Sequence, residues 1–423
     1  MSLGEQSPYA GYLYSYPHKT AYRTLLPSVP LGPLWAAQDR SALSLYVHVP
    51  FCEMRCGFCN LFTRSRPPDE RVTAWLRALD REARIVDDLV GERVIDRFAI
   101  GGGTPTMLSA GQLSTVLDIV GRFGALGRPS SVETSPATAT PDRLSVLKAA
   151  GVTRISMGVQ SFESAEVQTA QRPQTNVQVT AALTAIRDAG FPVLNLDLIY
   201  GIPGQTVESW QRSIGTALDW SPEELYLYPL YIRPLTGMAS RARTADDAHR
   251  LELYRAGRDL LLGQGYEQCS MRMFRRLGVP TAGGAYRCQE DGMIGLGVGA
   301  RSYTSKLHYA TDFAVGARGV EGIIDAWIAR TDEERTHARH GIWLDEAEQS
   351  RRRLILTLLG REPVVSIPGD LEESVAGLTQ EGLAAWAESG LTLTAEGIAR
   401  SDAIGPALIS PPVRQRMQAW ELR

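Results

Sequence analysis

Between residues 43 and 230, six short apolar, β-branched runs alternate with longer stretches of helical periodicity, and this alternation restricts the fold more than any other feature of the chain. The runs fall at 43–49, 94–100, 131–134, 154–159, 193–200 and 225–230. Helical patterns occupy 69–90, 109–123, 141–150, 163–170, 176–189 and 206–218, several of them opened by a Ser, Thr or Asp. Strands separated each time by a helix run parallel through right-handed crossovers, so the expectation is an α/β fold on a parallel sheet, open or curled into a partial barrel. Ligands of such sheets bind beyond the C-terminal strand ends.

The flanking segments follow other patterns. Residues 1–40 are rich in Tyr, Pro and Gly without a sustained period and read as an N-terminal arm packed on the body. After the barrel unit, 41–240, the pattern turns mostly helical; 241–341 reads as a barrel extension that shapes the substrate pocket. Residues 342–423 read as a C-terminal, mostly helical, winged-helix-like cap that excludes water from the strand ends.

With 44 Lys+Arg against 47 Asp+Glu among 423 residues, the net charge of −3 offers nothing to nucleic acid or to an anionic membrane as a whole. No apolar run reaches the 18 or more residues of a membrane span, and the first residues lack the basic and apolar segments of a signal peptide, so a cytoplasmic protein is expected. Three of the five cysteines, Cys52, Cys56 and Cys59, lie within eight residues, which suits a metal site better than a disulfide framework. Cys269 and Cys288 stand apart and read as small buried apolar residues.

Residues with chemistry to offer fall just past the strand patterns. The cysteines follow the first, Gly101 to Thr106 follow the second, Glu133 ends the third, Gln160 follows the fourth and Asp197 lies near the end of the fifth. The C-x3-C-x2-C loop supplies three thiolates, one too few for a structural zinc site or a saturated four-iron cluster. One iron of a cluster held there stays open, and the amino and carboxylate groups of S-adenosylmethionine are able to chelate it. The glycine run is not followed by Gly-Lys-Ser/Thr and is no phosphate loop, but it exposes backbone to a ligand.

The C-x3-C-x2-C loop after a strand, with Phe58 before the third cysteine, resembles the radical SAM superfamily. The flank Tyr46-x-His48-x-Pro50-Phe51, GGGTPT at 101–106, RISMGVQSF at 154–162, Gln171-Arg172 and NLDLIYGIPGQT at 195–206 are similar to one subgroup. That subgroup contains oxygen-independent coproporphyrinogen III oxidase, related heme chaperones and class C radical SAM methyltransferases. The resemblance implies a partial (β/α)6, TIM-like barrel with a [4Fe–4S] cluster on Cys52, Cys56 and Cys59. It further implies S-adenosylmethionine, in two molecules, cleaved by one electron from a donor such as flavodoxin or ferredoxin. Tyr46, Phe58, Gly102, Gly103, Thr104, Glu133, Gln160, Arg172 and Asp197 are the positions it implies for cofactor contact, with Tyr46 near the sulfonium and Arg172 clamping the carboxylate. Tyr231, past the sixth strand, is the candidate pocket wall; His48 reads as a packed, hydrogen-bonded histidine.

Three reactions follow from the subgroup: propionate decarboxylation, methyl or methylene transfer from a second S-adenosylmethionine to an sp2 carbon, and heme carriage. At 286–292 the chain reads YRCQEDG, where the chaperones carry His-Asn and Tyr-Trp elements, and no Asp-His pair lies near Met271-Arg272-Met273 as in the decarboxylase. Ser15-Tyr16-Pro17 does resemble the decarboxylase N-terminus. The expectation drawn is C-methylation or cyclopropanation of a small, flat, aromatic substrate.

Overall fold

The computed structural model describes residues 4, 6–240, 243–280 and 287–421; Tyr286 of the YRCQEDG segment lies outside them. Six parallel strands stand side by side in chain order: Leu43–Val49, Ile95–Gly102, Ser130–Thr134, Arg154–Gln160, Val193–Tyr200 and Glu224–Pro229. Each lies within about two residues of its expected position. Met293–Leu296 adds a seventh parallel strand on the free edge of Leu43–Val49. Beyond it Arg301–Tyr303, Leu307–Ala310, His337–Trp343 and Arg23–Pro30 continue antiparallel, while Met273–Arg276 and Tyr266–Gln268 extend the opposite edge. The thirteen strands of this sheet have two free ends, so the barrel is a partial one. The segment around 23–30 carries no alternation that announces a strand; its burial is irregular and its pairing with His337–Trp343 is interrupted by a register shift.

Helices cover the outer face because one side of every crossover is apolar. Asp69–Val90 buries Val72, Trp75, Leu76, Leu79, Ala83, Val86 and Val90, the three- and four-residue spacing of a single helix face. Ser109, Thr175 and Thr206 close capping boxes at the starts of Ala110–Arg122, Asn176–Asp188 and Val207–Leu218. Against these helices the strands set Leu43, Leu45, Val47 and Val49, all fully buried.

The inner face is polar, which is unusual for parallel strands covered on both sides. The register pairs Ser44 with Arg97 and His48 with Gly101, Ser131 with Arg154, Glu133 with Ser156, Asn195 with Glu224 and Asp197 with Tyr226. Polar side chains thus align across neighbouring strands and line a lumen instead of filling a core. The C-terminal segment is mostly helical, with Glu346–Leu359, Glu372–Gln380, Ala395–Ala399, Ser401–Ala407 and Pro411–Gln418 around the hairpin Ala384–Ala387 and Gly390–Leu393. No helix among the described residues is long and apolar enough to cross a membrane.

Candidate active site

The cysteine loop leaves the first strand at Phe51–Cys52, which pairs with Arg64–Ser65, and is pinned at its middle by backbone bonds. Gly57 N–H reaches the Ala170 carbonyl at 3.2 Å, Met238 N–H reaches the Gly57 carbonyl at 2.8 Å, and Cys59 N–H turns back to Cys56 at 3.1 Å. All three cysteines are half-buried free thiols. Among the described residues no three His, Cys, Asp or Glu side chains converge on a single ion. A cluster asks for something else, since each thiolate takes a different iron.

The surroundings of the sulfurs fit such a group. Thr104 Oγ1 donates to Cys52 Sγ at 3.5 Å and Arg172 Nη1 donates to Cys56 Sγ at 3.2 Å, the donors a thiolate accepts. Without these sulfurs ligated, burial pushes the Cys52 thiol up to about 12 and raises Cys59 as well. Gly103 closes the cradle, for a Cβ there would lie 2.3 Å from the Phe51 carbonyl oxygen and 3.0 Å from Cys52 Sγ. Only glycine fits.

The other expected residues come together on the inner face. Gly102 has φ +112 and its N–H donates to Glu133 Oε2 at 3.0 Å. Glu133 opens onto the lumen yet sits deep within the protein mass; burial, with repulsion from Asp197 beside it, raises its carboxyl to about 7 despite that hydrogen bond. Asp197 accepts from Asn195 Nδ2 at 2.8 Å and from Ser156 Oγ at 3.5 Å, and burial raises it too. Gln160 sits at a strand irregularity with φ +71, its amide folded back over Gly158, where a Cβ would meet Nε2 at 2.6 Å. Arg172 donates from Nη2 to the Gly158 carbonyl, so it binds backbone and sulfur at once.

Tyr46 Oη lies 3.2 Å from His48 Nδ1, and His48 Nε2 lies 3.1 Å from the Phe62 carbonyl. A Cβ on Gly102 or on Gly299 would strike the His48 ring, at 2.6 and 2.9 Å, so this histidine is a wedge between two glycines. Phe58 packs on Ala170, Ile199, Ile202, Leu230 and Met238, an apolar contact that fixes the loop. Tyr231, the candidate pocket wall, is half-buried, and its hydroxyl donates to Asp402 of the C-terminal helices. Cys288 packs with Met293, Tyr303 and Tyr46, whereas Cys269 lies elsewhere, on the turn whose N–H bonds the Met273 carbonyl.

Sequence reasoning missed the residues through which the arm meets the rest of the protein. Tyr12 of the arm lies 3.7 Å under the Arg272 guanidinium, which is paired with Asp402; Tyr14 receives Arg301 Nη1 at 3.1 Å. Their only sequence signal is the density of tyrosines at 9–22, which an aperiodic segment does not translate into positions.

A family model described as the radical SAM superfamily matches residues 46–217. The heme chaperone HemW of Bacillus subtilis is 31% identical over 274 residues, covering 62% of this chain and 70% of that protein. The oxygen-independent coproporphyrinogen III oxidase of Pseudomonas aeruginosa is 29% identical over 369 residues, 78% of this chain and 75% of that one. Among solved structures, coproporphyrinogen III oxidase HemN of Escherichia coli, a radical SAM enzyme, superposes with TM-score 0.79 and 25% identity over 94% of this chain and 96% of its own. These relatives overturn the expectation of methyl or methylene transfer and cyclopropanation: the names they carry are those of the decarboxylase and the heme chaperone. The motifs shared along the barrel serve all three chemistries alike, so the absence of the chaperone and decarboxylase elements after residue 260 was too weak a discriminator. The cofactors are those of the family, a [4Fe–4S] cluster and S-adenosylmethionine. The chain belongs to the radical SAM superfamily, in the group that includes oxygen-independent coproporphyrinogen III oxidase and heme chaperone HemW.

Proposed function

We propose that this protein decarboxylates a propionate side chain of a porphyrinogen without oxygen. The observation that carries the reading is the extent of the likeness: the Pseudomonas oxidase aligns over 78% of the chain against 62% for the Bacillus chaperone, and the Escherichia coli oxidase superposes over 94% of it. Cluster and S-adenosylmethionine, when bound, supply a one-electron C–S cleavage able to take a hydrogen atom from an unactivated carbon. Loss of that hydrogen, of CO2 and of one electron to an external acceptor turns the propionate into a vinyl group.

The chain's own residues would supply position and enclosure. Cys52, Cys56 and Cys59 would hold the cluster; Gly102, Gly103, Glu133, Gln160, Arg172 and Asp197 surround the space in front of it and would orient the cofactor, as positioning demands. The arm and the C-terminal helices meet over the strand ends through Tyr12, Arg272 and Asp402, which would keep water from the reacting carbon.

The test is anaerobic incubation of cluster-loaded protein with coproporphyrinogen III, S-adenosylmethionine, a reductant and an electron acceptor. The expected result is one 5′-deoxyadenosine per CO2 released and, for each propionic acid side chain converted, a product lighter by CO2 and two hydrogens, one taken as an atom and one lost as the carboxyl proton. A stable complex with added heme and no turnover of the porphyrinogen would instead make the protein a heme carrier.

Glu133 gives this site a pH signature. Its carboxyl, raised from an ordinary 4.5 to about 7, is neutral below that value and charged above it. Affinity of the cluster-loaded protein for the cationic S-adenosylmethionine should therefore rise, by about tenfold, as pH increases through about 7. Equilibrium dialysis from pH 6 to 8 measures it, and Glu133→Gln should remove the slope. The same raised value means the folded empty protein holds a proton that the unfolded chain releases between pH 4.5 and about 7, so stability declines as pH rises across that window.

A further inference from the structure

Four acidic side chains are buried among the described residues: Glu166, Glu223, Glu224 and Asp402. Three of them hold arginines, Glu223 with Arg187 and Arg276, Glu224 with Arg154 and Arg275, and Asp402 with Arg272. Glu166 is the exception, 5% exposed with no Lys, Arg or His nitrogen of the described residues within 4.0 Å. Its carboxylate rests on hydroxyl and amide donors alone: Ser161 Oγ at 2.6 Å and Gln205 Nε2 at 2.9 Å on Oε2, and Ser209 Oγ at 2.5 Å on Oε1. Bonds of this charge-assisted kind are strong, and a buried carboxylate that loses them has no water to replace them.

The three donors come from separate elements. Ser161 follows Gln160 at the end of the fourth parallel strand, Gln205 lies in the turn beyond the fifth, and Ser209 belongs to the helix Val207–Leu218. Gln205 is itself fixed, its Oε1 accepting the Gly201 N–H at 2.7 Å and its Nε2 donating also to the Ile199 carbonyl at 3.3 Å. Glu166 stands on the short helix Ser164–Thr169. Six residues are too few for a helix to persist on its own hydrogen bonds, so tertiary anchors decide where its C-terminal end points. That end carries the contacts to the cysteine loop. The carbonyls of Ala170 and Gln171 both accept the Gly57 N–H, at 3.2 and 3.3 Å, and Arg172 donates from Nη1 to Cys56 Sγ at 3.2 Å. Glu166 is thus at one end of a short link whose other end touches a cluster ligand.

We propose that Glu166 is a positioning residue for the cluster: by fixing the helix Ser164–Thr169 against the fourth and fifth strands it holds Arg172 on Cys56 Sγ, and so raises the reduction potential of the cluster. A cationic donor on a ligand sulfur favours the state with one more electron, and hydrogen bonds to the sulfurs are among the factors that set the potential. The effect requires the cluster on the three cysteines and no particular substrate, so it stands apart from the porphyrinogen reading. A Glu166 that acted only by its charge would do the opposite, because a nearby negative charge disfavours the added electron.

The measurement is a redox titration of full-length, cluster-loaded protein without S-adenosylmethionine, in which the cluster takes one electron from dithionite and the reduced form is read by electron paramagnetic resonance. The midpoint does not depend on the fraction of chains that carry a cluster, so a variant that loads only in part remains readable. At the wild-type midpoint, Arg172→Met and Glu166→Ala should each lower the ratio of reduced to oxidised cluster about tenfold, a fall of about 59 mV for one electron. Combining the two should give no more than Arg172→Met alone, since Glu166 acts through that arginine. Glu166→Gln should stay near wild type: its amide oxygen accepts from Ser161 and Gln205, and its amide nitrogen donates to Ser209 Oγ, whose own proton goes to the Thr206 carbonyl at 3.1 Å. Should Glu166→Ala fail to fold, Glu166→Asp, one methylene too short to keep all three donors, is to show the same fall. A wild-type midpoint in the folded Ala or Asp variant makes Glu166 a structural residue only and overturns the proposal, as does an unchanged midpoint in Arg172→Met. An upward shift in Glu166→Ala and Glu166→Gln alike, or shifts that add in the double variant, overturns it too.

Discussion

Replacing Cys52, Cys56 and Cys59 together by alanine is expected to reduce iron and sulfide from about four each per chain to background after anaerobic reconstitution. Cleavage of S-adenosylmethionine should be lost with them. Each thiol serves a different iron, so any single alanine variant should already lose most of the cluster; two remaining thiolates and an open coordination position on two irons do not hold it. Thr104 and Arg172, which donate to Cys52 and Cys56, act on ligand quality, and their variants should retain iron in part. Cys269→Ser and Cys288→Ser are the controls. Cys269 sits on a turn outside the loop and Cys288 packs on Tyr46 and Met293, so both should load normally. Iron and sulfide assays with far-ultraviolet circular dichroism separate loss of cluster from loss of fold. Full iron content in the triple variant would remove the loop from the chemistry altogether.

What could be read from the sequence divides along a physical line. The strand from Val193 to Tyr200 announces itself through its run of apolar residues, and its inward residues Asn195 and Asp197 through polarity on alternate positions. A parallel strand that alternates has one face on something wet, so the polar inner faces already pointed to a lumen. Cys52, Cys56 and Cys59 are local in sequence, and their spacing alone limits what they are able to bind. The pairs Arg272 with Asp402, Lys19 with Phe313 and Arg301 with Tyr14 are different, because each meets across much of the chain. Arg272 and Asp402 are 130 positions apart and nothing at either end signals the pair. Tyr231 shows both sides: its place past a strand was legible, but its partner on a C-terminal helix was not. The choice among reactions failed for a related reason, since it turned on loop segments whose distance from the lumen no periodicity encodes.

Asp402→Asn is expected to destabilise the protein by about 3–5 kcal/mol, because it leaves Arg272 as an uncompensated buried cation. Arg272 is 5% exposed and Asp402 2%, so neither charge has water to fall back on. The carboxylate also accepts the Tyr231 hydroxyl, and the Asp402 carbonyl takes the Gly11 N–H at 2.9 Å, which ties the arm, the barrel and the C-terminal helices to one residue. Arg272 in turn stacks on Tyr12, so release of the ion pair should free the arm as well as the helices. The expected signature is a lower unfolding midpoint in urea together with faster limited proteolysis after residue 342 and before residue 22, while the cysteine loop still takes up iron. Removing both charges in Arg272→Met/Asp402→Asn should recover a large part of the loss, since an apolar side chain in that position carries no desolvation penalty. A double variant as unstable as Asp402→Asn alone would place the cost in the Tyr231 hydrogen bond and not in the charge. On the proposed function uncoupling should accompany the loss: were the arm and the C-terminal helices to shield the reacting carbon, their release would let 5′-deoxyadenosine form in excess over product.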